Sequence, residues 1–314
     1  MKDTLFAIGE ALIDFIPSET GCDFSEVTAF SPKTGGAPAN VLGAFSKIGG
    51  KTELLSQLGD DPFGHKIADE LASFNIGLNN LLFTKKANTA LAFVSLAKNG
   101  NRTFSFYRKP SADMLYNGEN LTSETFSRCF ALHFCSVSLG NFPMKEAHKK
   151  AIKLAKENGS FISFDPNIRL PLWDSTDLLK DALNEFLPSA DIIKVSDEEI
   201  EFITGIKDIE KGCEKLLETA KLVICTCGEN GAYAFTKDAK AYAPSEKVKA
   251  KDTTGAGDGF IGSFLYSLYK NEYNKENIGF ITEKELEKFL NASAKFCAAS
   301  VMKHGAIESY PDFI

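Results

Sequence analysis

Apolar positions along this chain follow two rhythms. Short, nearly continuous apolar runs at residues 5–8, 53–58, 131–137, 161–164, 191–195 and 222–226 read as buried strands. Between them, apolar residues recur every three to four positions at 41–48, 63–74, 145–157 and 178–186, the period of helices with one buried face. Strand and helix in alternation predict a parallel sheet covered on both faces.

The alternation breaks at residues 90–108. Residues 90–97, a turn at Asn99-Gly100 and residues 102–108 predict a β-hairpin, with Phe104 and Phe106 alternating against Thr103, Ser105 and Tyr107. A hairpin has no place inside a doubly wound sheet. Together with extended stretches at residues 11–17 and 27–30 it predicts a small second sheet lying over the site, a lid. Residues 232–235, 241–243 and 248–250 read as short antiparallel strands. A long helix follows Thr282, whose pairing with Glu285 is a capping box, and runs to Lys303.

Composition narrows the possible functions. The 314 residues are 44% hydrophobic and 25% charged, ordinary for a globular protein with a large core, and suit one domain spanning 1–314 with an appendage at about 11–34 and 89–110. A net charge of −7 offers no general attraction for nucleic acid or an anionic membrane. The apolar stretches are short or interrupted by charge, and Met1-Lys2-Asp3 leads directly into a strand, so a cytoplasmic location is expected. Seven scattered cysteines and four histidines show no ligand spacing. Cys225-Thr226-Cys227 reads as a strand with both sulfurs on one face.

Chemistry concentrates at Asp252-Thr253-Thr254-Gly255-Ala256-Gly257-Asp258. The residues after Asp258 have helical periodicity, so a helix starts at or just before it. The first amides of a helix lack internal partners, and Gly255, Ala256 and Gly257 carry little side chain to shield them, which makes the turn an anion cradle. An acid in such a turn would repel phosphate unless it takes a proton from an acceptor hydroxyl while the amides hold the gathering charge. A helix junction with ordinary capping would use the same residues. The run 257–262 also spells G-x-G-x-x-G, but charged residues 247–251 precede it where a dinucleotide site needs a buried strand.

Other candidates stand at predicted element ends. Asp14 interrupts an apolar stretch, as an exposed strand position or as an acceptor for two sugar hydroxyls. Gly35-Gly36 before a helix implies close backbone approach, and Asn40 falls in that helix's first turn. Polar residues at the C-terminal end of a parallel strand lie where α/β sheets hold ligands, so Asn167 and Arg169 are candidates for phosphate and substrate charge. Lys194 is a further phosphate-side cation. Ser196-x-x-Glu199 reads as a capping box, and Gly228 and Gly231 form a glycine-rich strand exit after Thr226.

The 252–258 heptad resembles the C-terminal signature of the ribokinase-type (PfkB) carbohydrate kinases, and Gly35-Gly36 with Asn40 resembles their N-terminal signature, more than two hundred residues away. The run 165–173, DPNIRLPLW, is similar to that of the fructokinase branch. The resemblance covers nearly the whole chain and implies a ribokinase-like three-layer α/β sandwich with a mostly parallel sheet and a β-sheet lid that also serves as a dimer contact. It implies ATP-dependent phosphorylation of D-fructose at the C6 hydroxyl, with Asp258 as base and residues 255–257 as anion hole. Sugar contacts would be Asp14, Gly35, Gly36, Asn40, Arg108 and Arg169, with Asp113 a weaker candidate. ATP contacts would include Asn167, Lys194, Thr226, Gly228, Gly231 and Asn291, with Asn291 facing the adenine. Glu199 would meet Mg²⁺ through water, and Asp252 and Thr254 with residues 305–309 would enclose a monovalent cation such as K⁺. Ser196 departs from the asparagine common in the family. A 2-keto-3-deoxygluconate kinase, another sugar kinase of the family, or a non-catalytic sugar or nucleotide sensor share this frame.

Overall fold

β1 (Thr4–Ile8) shows how the chain builds its centre. Its side chains alternate at the strand period of two, so Leu5 and Ala7 enter one apolar cluster while Phe6 and Ile8 enter another on the opposite face. The structure, a computed structural model, describes residues 2–19, 21–22, 24–96 and 102–314. The turn expected at Asn99-Gly100 and the Arg102 side chain lie outside the described residues.

In chain order β1 is followed by β2 (Leu12–Pro17), β3 (Phe30–Gly35), α1 (Ala37–Lys47), β4 (Lys51–Gly59), α2 (Pro62–Ser73), β5 (Leu81–Thr84), β6 (Leu91–Leu96) and β7 (Arg102–Tyr107). Then come β8 (Cys129–Cys135), α3 (Pro143–Glu157), β9 (Phe161–Asp165), α4 (Thr176–Phe186), β10 (Ile192–Ser196), α5 (Asp197–Thr204) and α6 (Ile209–Leu216). The chain closes with β11 (Leu222–Thr226), β12 (Ala232–Phe235), β13 (Lys240–Ala243), α7 (Ala256–Lys270) and α8 (Glu283–Val301).

Among the described residues, nine strands form one sheet in the order β13-β12-β11-β10-β9-β8-β1-β4-β5. All its pairings are parallel except those of β12 and β13 at one edge. Helices α1, α2, α7 and α8 fill one face through Val41, Phe45, Ile67, Phe264 and Phe289. Helices α3 to α6 fill the other through Met144, Leu179, Ile200 and Cys213. This is the expected three-layer sandwich. Cys225 and Cys227 both pack into the second face, as the strand period requires.

The second sheet runs β3-β2-β6-β7. β6 and β7 are the expected hairpin, antiparallel with Leu91 opposite Tyr107. Its third member is β3 at residues 30–35 rather than the stretch 27–30, because pairing with β2 carries the strand up to Gly35. Asp61 anchors the return into this sheet, capping α2 through Phe63 N and Gly64 N while accepting from Thr89 N at 2.8 Å. Residues 248–250 form no strand; Val248 and Ala250 line a cavity instead. β5 and α6 left no clear signal, one being half exposed with no clean alternation and the other very short. Among the described residues no helix is long and apolar enough to cross a membrane.

Candidate active site

The site begins where α7 begins. Gly255 has φ 72°, a left-handed conformation natural to glycine, and a Cβ there would come within 2.6 Å of Tyr310 Oη and 2.7 Å of Ala306 Cβ. Tyr310 Oη donates to Gly255 O at 2.7 Å, pinning the turn to the C-terminal segment. Ala256 N donates to Thr253 O at 3.2 Å, so the presentation of N–H groups falls to Gly255, Gly257 and Asp258 rather than to all of 255–257 alike.

Asp258 is 9% exposed, and its Oδ2 accepts from Asn40 Nδ2 at 2.9 Å. This joins the first turns of α1 and α7, which the sequence separates by more than two hundred residues. Asn40 Oδ1 is buried without a hydrogen-bond partner. Burial raises the Asp258 carboxyl to about 6; the bond from Asn40 opposes the rise, Asp165 adds to it, and Lys194 and Arg169 pull it down. A carboxyl tuned near neutrality suits a general base.

The ends of β9 and β10 deliver the charges around it. Lys194 Nζ pairs with Asp165 Oδ2 at 2.9 Å, both side chains buried. Burial alone would depress the Lys194 ammonium, but Asp165 and then Glu199 hold it above its ordinary value. Asn167 adopts φ 43°, and its N–H donates to Asp165 Oδ1 at 3.1 Å. Arg169 Nη1 donates to Ile168 O at 3.0 Å on the exposed side of this loop. The capping box at Ser196 and Glu199 forms as read, and Glu199 does more: Oε2 accepts from Ser196 N at 2.9 Å and Oε1 from Ile168 N at 2.6 Å. With a backbone N–H on each oxygen, Glu199 suits a metal-bound water better than a bare ion.

Beside Gly257 opens a cavity of about 520 Å³, the size of a small-molecule site. Thr226, Gly228 and Gly231 form one wall and Val248, Ala294 and Val301 an apolar one. Gly228 (φ 53°) faces open space, whereas a Cβ on Gly231 would strike Ala243 O at 2.2 Å. Asn291 is not brought to this lining; α8 contributes Ala294, Cys297, Ala298 and Val301, while Asn291 Nδ2 donates back to Glu287 O. Asp252 Oδ1 accepts from Thr254 N (2.9 Å) and Thr254 Oγ1 (2.6 Å), and Oδ2 from Gly305 N (3.0 Å), tying the heptad to residues 305–309.

At the other end, β2 and β3 place Asp14 over Gly35, where a Cβ would lie 2.1 Å from Asp14 Oδ2. Gly36 (φ 110°) has Glu10 O and Ala11 Cα against the position of its missing Cβ, at 2.5 and 3.0 Å. Arg108 is buried and already paired: Nε and Nη2 engage Asp113, and Nη1 donates to Val137 O at 3.0 Å, while the residue still lines a cavity of about 690 Å³ with Phe106 and Trp173. Its weaker companion candidate, Asp113, is thus its ion-pair partner.

Sequence reasoning missed Cys297, whose Sγ donates to Ala256 O at 3.2 Å and whose thiol burial pushes up to about 12. It also missed Tyr310 and the pairing of Asp165 with Lys194. Only Asp165 carried a signal, as an acid at a buried strand's C-terminal end.

A cleft at the C-terminal edge of a parallel sheet, with a near-neutral acid beside an anion-binding turn and a nucleotide-sized cavity, defines a small-molecule phosphotransferase. The chain belongs to the pfkB family of carbohydrate kinases, whose model matches residues 2–312. It is 42% identical to a probable fructokinase-5 of Arabidopsis thaliana over 98% of this chain and 94% of that one. Among solved structures it resembles the ATP-bound fructokinase of Xylella fastidiosa (TM-score 0.89, 30% identity, 99% and 96% covered). It also resembles the fructokinase of Vibrio cholerae O395 bound to fructose, ADP and calcium (TM-score 0.82, 31% identity, 99% and 96% covered).

Proposed function

We propose that the protein is a fructokinase that transfers the γ-phosphoryl group of ATP to the C6 hydroxyl of D-fructose. The observation that carries this reading is Asp258, buried at the start of α7, held by Asn40 and raised to about 6 beside the amides of Gly255 and Gly257. Asp258 accepts the hydroxyl proton as the oxygen–phosphorus bond forms and the bond to the departing ADP breaks; the amides and Lys194 hold the charge that gathers on the transferring group. Asp14, Gly35, Gly36, Asn40 and Arg169 would orient the sugar. Thr226, Gly228 and Gly231 would run along the nucleotide, with Asn167 toward its phosphates. A divalent ion, Mg²⁺ in this reading, would be carried by the nucleotide and met by Glu199 through water. Asp252 and Thr254 with residues 305–309 form the candidate K⁺ loop.

Arg108, neutralised by Asp113, shapes the base of the lid, which favours a neutral sugar over the carboxylated 2-keto-3-deoxygluconate. The β3-β2-β6-β7 sheet would act as lid within a single domain. Its stacked Phe15 and Phe93, with Tyr107 63% and Phe24 45% exposed, would seat a second copy of the chain. A sugar panel with ATP, read by ADP release and by ³¹P NMR of the product, tests the assignment. Preference for 2-keto-3-deoxygluconate, or no ADP release with any sugar, would overturn it. Tyr107→Asp should leave a monomer by sedimentation; an unchanged dimer, or a wild-type monomer, removes the lid contact.

A further inference from the structure

We propose that Asp165 and Lys194 act as a unit: Asp165 is a positioning residue that fixes the Lys194 ammonium against Gly257 as the cationic member of the anion-binding turn. This rests on the kinase reading of the site and assigns to Asp165 a task beyond supporting its own turn.

The geometry is specific. A Cβ built on Gly257 would lie 3.1 Å from Lys194 Nζ and 3.9 Å from its Cε, so the ammonium packs directly over the backbone of the turn's second glycine. Glycine at 257 gives that ammonium its place. Asp165 is held from two sides, by the 2.9 Å ion pair through Oδ2 and by Asn167 N through Oδ1, so the lysine's anchor cannot swing away. An ammonium carries three N–H donors, and its ion pair with one oxygen of Asp165 leaves donors for an anion arriving at the turn. A buried ion pair is weak evidence of a purely structural role, because well-packed apolar residues in its place are often at least as stable.

Asp258 is faced from every neighbouring element: Asn40 from α1, Asp165 from β9, Arg169 from the loop after it, Lys194 from β10, the buried Cys135 from β8 and Tyr310 from the C-terminal segment, and the half-buried Cys297 from α8. Of the charged groups, Asp165 pushes proton affinity at Asp258 up, while Lys194 and Arg169 push it down.

The test uses the full chain without nucleotide or metal. The Asp258 carboxyl is followed by ¹³C NMR, identified as the resonance missing from Asp258→Asn. Asp165→Asn should move its titration midpoint down and Lys194→Met should move it up, each by about one pH unit. Midpoints unmoved, or moved the same way in both, would overturn the proposal. Each single variant leaves one buried charge unpaired, so circular dichroism checks folding. If either fails to fold, the double variant Asp165→Asn/Lys194→Met, which leaves no unpaired charge, decides. A kcat at least about 100-fold down, with ATP binding by calorimetry weakened and fructose KM unchanged, supports the assignment; wild-type turnover and ATP affinity reject it. Failure of the kinase reading itself is distinguishable, because Asp258→Asn would then retain turnover whatever the titrations show.

Discussion

The buried charges around Arg108 and those around Asp258 both lie beyond the C-terminal ends of the sheet strands, yet only one set is closed on itself. In the first, Arg108 answers Asp113 and Val137 O, Ser111 Oγ donates to Asp113, and Ser138 Oγ donates to Glu10 at 2.6 Å. In the second, Asn40 Oδ1 has no partner, and burial lifts the Asp258 carboxyl to about 6, so that it stays mostly ionised at neutral pH yet can take up a proton. Closed networks hold a shape; open ones wait for a ligand. The same burial therefore means structure under the lid and chemistry under α7.

Substitutions can break this contrast. The largest effect should come from Asp258→Asn, which removes the proton acceptor but keeps an oxygen for Asn40: kcat should fall about 10³-fold or more, by coupled assay, with nucleotide binding intact. Turnover within tenfold of wild type would end the kinase reading. In the closed network, Asp113→Asn should instead destabilise the fold by about 3 kcal/mol in urea, because it leaves Arg108 buried and unpaired, while kcat per folded molecule stays within about threefold. If activity collapsed and stability held, the two networks would have exchanged roles.

A third test uses pH. Folding raises the Asp258 carboxyl from 3.8 to about 6, so its contribution to stability is complete below about 4 and is lost as pH rises through 6. Asp258→Asn should accordingly be more stable than wild type at pH 8 by roughly 3 kcal/mol, the margin vanishing near pH 4. Wild-type kcat/KM should fall on the acid side with an apparent pKa near 6, since only the ionised carboxylate accepts a proton. A margin that grows in acid would contradict the buried carboxyl. The smallest effect belongs to Gly35→Ala, whose new methyl would displace Asp14 Oδ2 and raise fructose KM by roughly tenfold at nearly unchanged Tm. An unchanged KM would remove Asp14 from the sugar site.

Much of this was legible beforehand, for local reasons. Periodicity located most of the sheet strands because a strand buried on both faces has a nearly continuous apolar run. β5, half exposed, and the misplaced third lid strand had no such pattern. The anion-binding turn showed itself in Gly255 and Gly257, since small residues before a helix leave amides bare. The pairing of Arg108 with Asp113 was not legible, because a cation in a lid looks the same in sequence whether or not it meets a buried acid five residues on.

What the amino-acid order determined was the alternation of strand and helix, the two glycine-marked turns and the identity of the acid, all features written within a few neighbouring positions. What the tertiary structure alone decided was partnership. Asn40 with Asp258, Asp165 with Lys194, and Tyr310 with Gly255 are joined by packing across the sheet's edge. Proton affinity at Asp258 depends on that enclosure and on charges from distant strands, so it arises only when the layers close.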